Sequence, residues 1–476
     1  MQLCFEGAAG EVTGSRSIIE YRIGQKNRRF AVDWGMFQGG RDAHQKNFEP
    51  SSEHADTLEC VILTHAHIDH SGLLPRLCAQ GFHGPIYCTP ATLDLLRVLL
   101  SDSAHIQAFE RERAERRQAK NQWRGDLPQP LYSLDDVTQC LAQCRPIAYH
   151  QRTPILEGVS LEFVDAGHIL GSATAVIDVV HDGRSAHQPT KRIVFSGDLG
   201  TRNRPLMNDP DRVHQADVLV LESTYGNRLH RSLQSTEDEL VEIVSRTLKQ
   251  GGNVIMPAFA VGRTQEIIAI LLNLVRQKRL PFLSIFVDSP MATAASEVTD
   301  RHLSLLDAQT QALAAWAKAH PQAARVHFTK DVNESKALNQ IKGGAIILSA
   351  SGMCEAGRIL HHLFWNCPRE QSAIVITGFQ AAGTRGRLLV DGAKTLRLLG
   401  AEVAVKASVH TLGGLSAHAD QADLLWWCQG FAEPPEKVFI THGEDTASEN
   451  LSSVLVSELG WARPIRPKRG ESFPCC

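Results

Sequence analysis

No apolar run in this chain approaches the roughly 20 residues that cross a membrane. Charge of one sign is lacking too: 49 Lys and Arg stand against 52 Asp and Glu, a net charge of −3. A global basic signature for nucleic acid is therefore missing. The opening stretch, MQLCFEGAAGEVTGSRS, has no basic segment followed by an apolar one, so no secretory signal is expected. The eleven cysteines show no disulfide-framework spacing, and Cys60, Cys88 and Cys428 sit in apolar or helical contexts. That fits buried thiols in a reducing cytoplasm. Cys140 and Cys144 could meet on a helix face, but no second pair completes a zinc knuckle, and Cys475-Cys476 reads as a frayed tail. Internal repeats and low-complexity tracts are absent from the sequence. What remains is a chain of 476 residues, too long for one ordinary core and suited to two domains.

What is present begins with VILTHAHIDHSG, Val61 to Gly72. His65, His67, Asp69 and His70 crowd behind a short β-branched, apolar run that reads as a buried strand ending near Thr64. His65 and His67 are two apart and point the same way in an extended segment. Asp69 and His70 reach the same volume if the chain then curls into a helix. Imidazole nitrogen with carboxylate oxygen suits zinc, and also manganese or iron. A chance cluster of polar residues in a solvated loop is the bland alternative, and the spacing argues against it.

The pattern recurs. RRFAVDWG is a strand ending at Asp33, VSLEFVDAGHILGSATAVIDVV is two strands around His168, KRIVFSGDLG ends in Asp198, and ADVLVLESTYG ends in Glu222. GPIYCT is a further strand, followed by the helix PATLDLLRVLLSDSAHIQ, Pro90 to Gln107. One strand edge is thus given over to a site. After Gly226 the texture changes to helix and strand in alternation: a capped helix in STEDELVEIVSRTLK, a Gly-Gly stop, and strands in NVIMPAF, FLSIFVDSP, GAIILSASG, SAIVITGFQ and AEVAVKASV. This is the pattern of a doubly wound domain. KVFITHGE, with His442, returns to the first texture. The expected division is 1–226 and 406–476 as one domain, with 227–405 inserted. RERAERRQAKNQWR, Arg111 to Arg124, reads as a solvated helix face laced with i,i+4 ion pairs, or as a phosphate-steering rim.

The strand-end groups suffice for two metals. His65, His67 and His168 would hold the first, Asp69, His70 and His442 the second, and Asp198 would bridge them. A water between ions about 3.5–4 Å apart would be acidified towards hydroxide, the nucleophile of a metal-assisted hydrolase. Asp69 is counted with the catalytic groups as well as the ligands. Asp33 is better read as an outer carboxylate that orients a histidine or the bound water.

THAHIDHSG, DAGHILGSA, SGDLG and VDWG resemble the motifs of the metallo-β-lactamase superfamily. LESTYG, LSAHAD and THGE, with PAFAVGRTQE, VDSPMA, SASGMCEAGR and GFQAAGTRGR, resemble its β-CASP branch of nucleases. The resemblance spans nearly the whole chain, with the motifs in the expected order. It is greatest to the bacterial and archaeal relatives of the cleavage and polyadenylation nuclease, although no RNA-binding KH extension is expected. It implies an α/β fold, an αββα sandwich with an inserted doubly wound β-CASP domain. It further implies two zinc ions per chain, with manganese as a substitute, and single-stranded RNA as partner. The third β-CASP motif is a histidine in RNA-acting members and a valine in the DNA-repair group; here it is His442. His418 matches the second motif and Glu222 the first, which implies a histidine acid held by a carboxylate, able to protonate the leaving 3′-oxygen. The bland alternative is that this pair only pins the domain junction. SASGMCEAGR places Ser351 and Gly352 at a helix start with amides open to an anion. With Arg263 in AVGR and Arg385 in TRGR, it suggests a phosphate grip.

The leading expectation is a two-zinc ribonuclease, an endonuclease with 5′-3′ exonuclease action left open. A thioester, lactone or β-lactam hydrolase would use the same metal loop, but an inserted domain of roughly 190 residues makes sense only for a longer substrate. A non-catalytic scaffold should have lost ligands, and every ligand position is filled. A homodimer is left open.

Overall fold

The computed structural model describes residues 1–50, 55–120, 122, 125–180 and 190–475. The chain separates into two compact units: residues 1–202, 209–229 and 418–476 form the first, and 203–208 with 230–417 the second. The sequence reading sets the crossings at 226 and 405; the compact units change over at 229 and 417, and the short stretch 203–208 goes with the second unit.

Among the described residues, the first unit carries two sheets. One has the strand order Ser472–Pro474, Gln2–Gly7, Arg16–Ile23, Lys26–Val32, Val61–Ile62, Ile86–Cys88 and Cys144–Pro146. The other runs Lys437–Thr441, Val218–Glu222, Thr190–Phe195, Ala173–Val180, Val159–Asp165 and Thr153–Leu156. Alternating strands such as VSLEFVD turn one face inward. Phe5, Phe30 and Ile62 from one sheet share a core with Phe163, Ile177 and Phe439 from the other. Burying each such side chain contributes about 1.5–3 kcal/mol. Helices Gln421–Cys428 and Asp445–Leu459 cover the outer face of the second sheet through Leu424, Trp427, Leu451 and Leu455.

Strand direction places the site. Lys26–Val32, Val61–Ile62 and Ile86–Cys88 pair in parallel, so Asp33 and His65 leave at one edge. Val218–Glu222 is parallel to both Thr190–Phe195 and Lys437–Thr441, so Asp198, Glu222 and His442 leave their sheet together. The antiparallel hairpin Val159–Asp165 and Ala173–Val180 turns at that same edge and carries His168.

The second unit is built on a parallel sheet in the order Ala324–Phe328, Leu283–Val287, Ala345–Ser349, Val254–Pro257, Ala373–Ile376 and Ser408–Thr411. Its central strands, AIILS, VIMP and AIVI, are buried throughout, as strands covered on both faces must be. Helices Leu233–Lys249 and Arg263–Arg276 pack one face and Ile359–Asn366 the other. This is the doubly wound α/β arrangement that the alternation of helix and strand predicts.

Three expectations are corrected. AEVAVKASV does not supply the sheet through its first half: Ala401–Ala404 pairs with Thr395–Leu398 in a separate hairpin that buries Leu396, Leu398 and Val403, and Ser408–Thr411 is the edge strand. Its mostly exposed pattern has too little apolar surface for a central strand. The C-terminal cysteines are not both frayed: Ser472–Pro474 adds to the edge of Gln2–Gly7, and Cys475 is buried with its N–H bonded to the Met1 carbonyl; Cys476 lies outside the described residues. The helix opening on Pro90 runs to Ala119, past Gln107, and its charged end carries Arg111–Glu115 and Arg116–Glu112 pairs. The remainder of the basic stretch includes residues 121, 123 and 124, outside the described residues. Among the described residues no helix is long and apolar enough to cross a membrane.

Candidate metal centre

His67 ends the loop after Val61–Ile62 and caps the short helix Ile68–Ser71, the curl that carries Asp69 and His70. That loop is stitched to the neighbouring segment by main-chain bonds: the N–H groups of Ser15, Trp34 and Met36 donate to the carbonyls of Asp69, His70 and Ile68. The approach is so close that a methyl group at Gly35 would lie 1.7 Å from the Asp69 carbonyl oxygen. Gly200 does the same for the loop of His168, since a methyl there would lie 1.9 Å from the Gly167 carbonyl oxygen.

Seven side chains then converge in two groups that share Asp198. His67 Nδ1 lies 3.2 Å from both His65 Nε2 and His168 Nε2. Asp198 Oδ2 faces this group, 3.4 Å from His65 Nε2 and 3.6 Å from His168 Nε2. The other oxygen, Oδ1, faces the second group, 3.3 Å from His70 Nε2 and 3.5 Å from His442 Nδ1. His442 Nε2 is 3.1 Å from His70 Nε2 and 3.6 Å from Asp69 Oδ2. Facing imidazole nitrogens at such distances surround a point rather than bond to each other.

Protonation follows from the surroundings. Burial pushes His65 and His67 towards neutral imidazole, the form that ligates a metal. Burial alone would raise the carboxyls of Asp198 and Asp69, yet the imidazoles around them hold both well below the usual range. His70 moves the other way: burial disfavours its cation, but Asp198 and Asp33 outweigh this and raise its pKa. Asp33 reaches the site only through others. Its Oδ2 accepts from His70 Nδ1 at 2.7 Å, which turns Nε2 towards the second group, and its Oδ1 accepts from the Thr64 N–H at 2.8 Å.

Among the described residues no group donates to either oxygen of the buried Asp198 in good geometry, although imidazoles surround it at 3.3–3.8 Å. A buried carboxylate left so is costly unless a cation completes it. The donor set, five imidazoles and two carboxylates, fits divalent ions of the zinc or manganese kind.

Beside Asp198 stands a third group. His418 Nδ1 lies 3.5 Å from Glu222 Oε1 and 3.8 Å from Asp198 Oδ2. Burial would lower the pKa of His418, but Glu222 foremost, with Asp198 and Asp69, raises it to about 9. Glu222 also accepts from the Leu199 N–H at 2.7 Å, one residue beyond Asp198, so it braces that loop as well.

The substrate-grip residues lie apart from this centre in the sequence and belong to the second unit. Ser351 and Gly352 are not at a helix start; the helix begins at Ile359. The Ser351 hydroxyl accepts from the N–H groups of Glu355 and Ala356, so those amides are already taken. The turn is made by Gly357 at φ +82°. Arg263 is nearly buried, bonded to Glu266 at 2.6 Å, and Arg385 pairs with Glu355 at 3.1 Å. Two residues that the sequence reading passed over support the centre. Thr64 bonds Asp33 and lies 3.1 Å from His65 Nδ1, and the Thr224 hydroxyl lies 3.1 Å from His442 Nδ1. Thr64 stands directly before the His65 motif, and Thr224 directly within LESTYG; a hydroxyl adjoining a ligand run was the signal available.

A two-sheet sandwich whose shared strand edge carries this cluster defines a metal-dependent hydrolase. Residues 29–250 match a beta-lactamase superfamily domain, 264–389 a Beta-Casp domain, and 402–463 a Zn-dependent metallo-hydrolase RNA specificity domain. The chain is 37% identical over 449 residues to "Ribonuclease TTHA0252" of Thermus thermophilus, covering 94% of each protein. It is 32% identical over 443 residues to "Transcription termination factor FttA" of Methanothermobacter thermautotrophicus, covering 90% of this chain and 65% of that one. With the FttA of Methanosarcina mazei the identity is 30%, over 84% of this chain and 61% of the relative. The chain thus spans somewhat under two thirds of the length of those FttA relatives. It belongs to the β-CASP family of metallo-β-lactamase-fold hydrolases.

Proposed function

We propose that the chain is a two-zinc ribonuclease that hydrolyses phosphodiester bonds in single-stranded RNA, cutting internally, with 5′-3′ removal of nucleotides as a second mode. The observation that carries the two-ion reading is the split of Asp198, one oxygen towards His65 and His168 and the other towards His70 and His442. The RNA reading is supported by the RNA specificity domain match and by the ribonuclease relative that the chain covers almost end to end. When bound, divalent ions supply Lewis acidity for hydrolysis of an ester at neutral pH. His65, His67 and His168 would hold one ion, Asp69, His70 and His442 the other, with Asp198 shared. Asp33 fixes the His70 ring through its Nδ1 proton. His418, kept protonated by Glu222, donates its proton to the leaving 3′-oxygen. The test is incubation with RNA labelled internally or at the 5′ end, carrying mono- or triphosphate, with metal content measured on the same preparation. Internal fragments from both ends, and close to two zinc ions per chain, are expected. An active protein free of metal sinks the reading; single nucleotides released only from a monophosphorylated 5′ end would reverse the order of the two modes.

A further inference from the structure

Three neighbouring strands of the second unit, Ala345–Ser349, Val254–Pro257 and Ala373–Ile376, end at one edge. Just past those ends come Gly352, Phe259 and Phe379. Both phenylalanines turn to solvent, Phe259 at 47% and Phe379 at 58% exposure, on an edge whose strands are otherwise buried. The strands run parallel in register, Val254 beside Ala373, so the two rings leave adjacent strands at nearly equal height. Adjacent strands lie about 4.8 Å apart.

The backbone under these rings is fixed. The buried Thr264 donates its hydroxyl to the Phe259 carbonyl at 2.7 Å, and its N–H bonds the same oxygen. The buried Gln380 amide donates to the carbonyls of Gly352, Gly378 and Phe379, at 3.0, 3.2 and 3.0 Å, tying two of the three loops together. The Phe259 ring lies over glycine: a methyl group at Gly352 would come within 3.2 Å of it, and one at Gly378 within 4.0 Å. Glycine thus lies against one side of the Phe259 ring, nearest its Cδ2 and Cε2 atoms, and the rest of the ring is open to solvent on an anchored backbone.

We propose that Phe259 and Phe379 form a base-stacking platform for a single-stranded nucleic acid, a binding site of the second unit that grips bases rather than phosphates. The inference rests on the ribonuclease reading above. A base is the occupant that suits: it is flat, apolar on its faces, and stacks on an aromatic ring whatever its identity. A protein partner suits less. The rings emerge from polar loops that carry Gln380, Glu355 and Arg385, and a stable protein interface takes about 800 Å² of each partner. The platform also supplies substrate contact where Arg263 and Arg385 are engaged with Glu266 and Glu355.

The test is single-turnover cleavage of end-labelled single-stranded RNA by the full-length, metal-loaded protein, read as half-saturating enzyme concentration and maximal rate. Phe259→Leu and Phe379→Leu keep the apolar bulk and lose the aromatic face. Each is expected to raise the half-saturating concentration about 5- to 150-fold, the worth of one stacked base, with little change in maximal rate. Phe259→Tyr and Phe379→Tyr should stay near wild type, which separates stacking from misfolding. On RNA with abasic spacers in place of bases, wild type should fall to the level of the leucine variants. Leucine variants that saturate like wild type on ordinary RNA would overturn the platform and leave the rings to a protein partner. Leucine variants that stay as far below wild type on abasic RNA as on ordinary RNA would overturn it too. A wild type that cleaves no RNA would bring down the ribonuclease reading, and this inference with it.

Discussion

Asp33, through His70, and His418 stand at different oxygens of the Asp198 carboxylate, and their contacts predict different consequences of removal. Asp198 offers an oxygen to each histidine group, whereas Asp33 touches only His70 directly and reaches His65 through Thr64. Asp198→Ala is therefore expected to strip both ions, while Asp33→Ala weakens metal binding or turnover by about 10–100-fold, the usual cost of losing an outer partner. Elemental analysis of the two variants decides it, and equal metal loss would contradict the assignment. His418 is placed differently. Every position in the two histidine groups is filled without it, and its nearest carboxylate partner is Glu222. His418→Ala should keep both ions and lose about 10²–10⁴-fold in RNA cleavage, the usual share of a general acid. An RNA with sulfur at the leaving 3′ position hardly needs a proton and should restore the variant. The pH profile gives a second check. His418 must be protonated to act, and its pKa is raised to about 9 by Glu222, Asp198 and Asp69 against burial. Bound cations offset two of those carboxylates, so activity should decline with rising pH at or below pH 9, a limb that the alanine variant lacks.

Elements show where the sequence was legible and where it was not. Each strand that closes on Asp33, His65, Asp198, Glu222 or His442 is readable, because an apolar run ending in an imidazole or a carboxylate is a local pattern. The loop of Ser351 was not: SASGMCEAGR has the composition of a helix start, but the Ser351 hydroxyl caps a turn and the helix waits until Ile359. Arg263 in AVGR reads as a phosphate contact, but it pairs with Glu266, which Arg204 shares, and only folding brings Arg204 there. Asp288 in VDSPMA was read only as a family segment, since its partners lie 41 to 74 residues away. Its buried carboxylate accepts from Thr329, Ser335, Arg358 and His362 at 2.6–2.7 Å, pinning the helices Val332–Leu338 and Ile359–Asn366 to the end of the strand Leu283–Val287. Burial would raise this carboxyl, but His362, Thr329, Ser335 and Arg358 hold it well below the ordinary value. The stability it contributes is thus complete above about pH 4, the unfolded value, and is lost as pH falls towards the folded one. Asp288→Asn should cost about 3–5 kcal/mol at pH 7 by leaving Arg358 without its buried partner. Thermal unfolding should show the variant far below wild type at pH 7, with the gap beginning to narrow at pH 3 as the wild type loses part of this contribution.

At the scale of the molecule the two units divide the labour: the metal ligands all fall in the first, and Asp288 with the exposed phenylalanines in the second. Each unit has a sheet and cores of its own. A ligand that binds only the folded state stabilises the part that holds it, by about 2.7 kcal/mol at a hundred times its dissociation constant. Removing metal with a chelator should therefore lower the unfolding temperature of the first unit and leave the second where it was. Without cations, Asp198 and Asp69 keep their charge in a buried cluster that no longer has its counter-ions, which adds to the loss. Asp288→Asn should do the reverse, shifting only the second unit. Differential scanning calorimetry of wild type, chelated wild type and Asp288→Asn, with fragments from limited proteolysis assigning each transition, makes the comparison. If chelation and Asp288→Asn move the same transition by similar amounts, the units unfold as one cooperative body and the division of labour is confined to chemistry. If chelation moves neither, the histidine and aspartate cluster holds no ion of consequence, and the reading of Asp198 as a shared ligand fails with it.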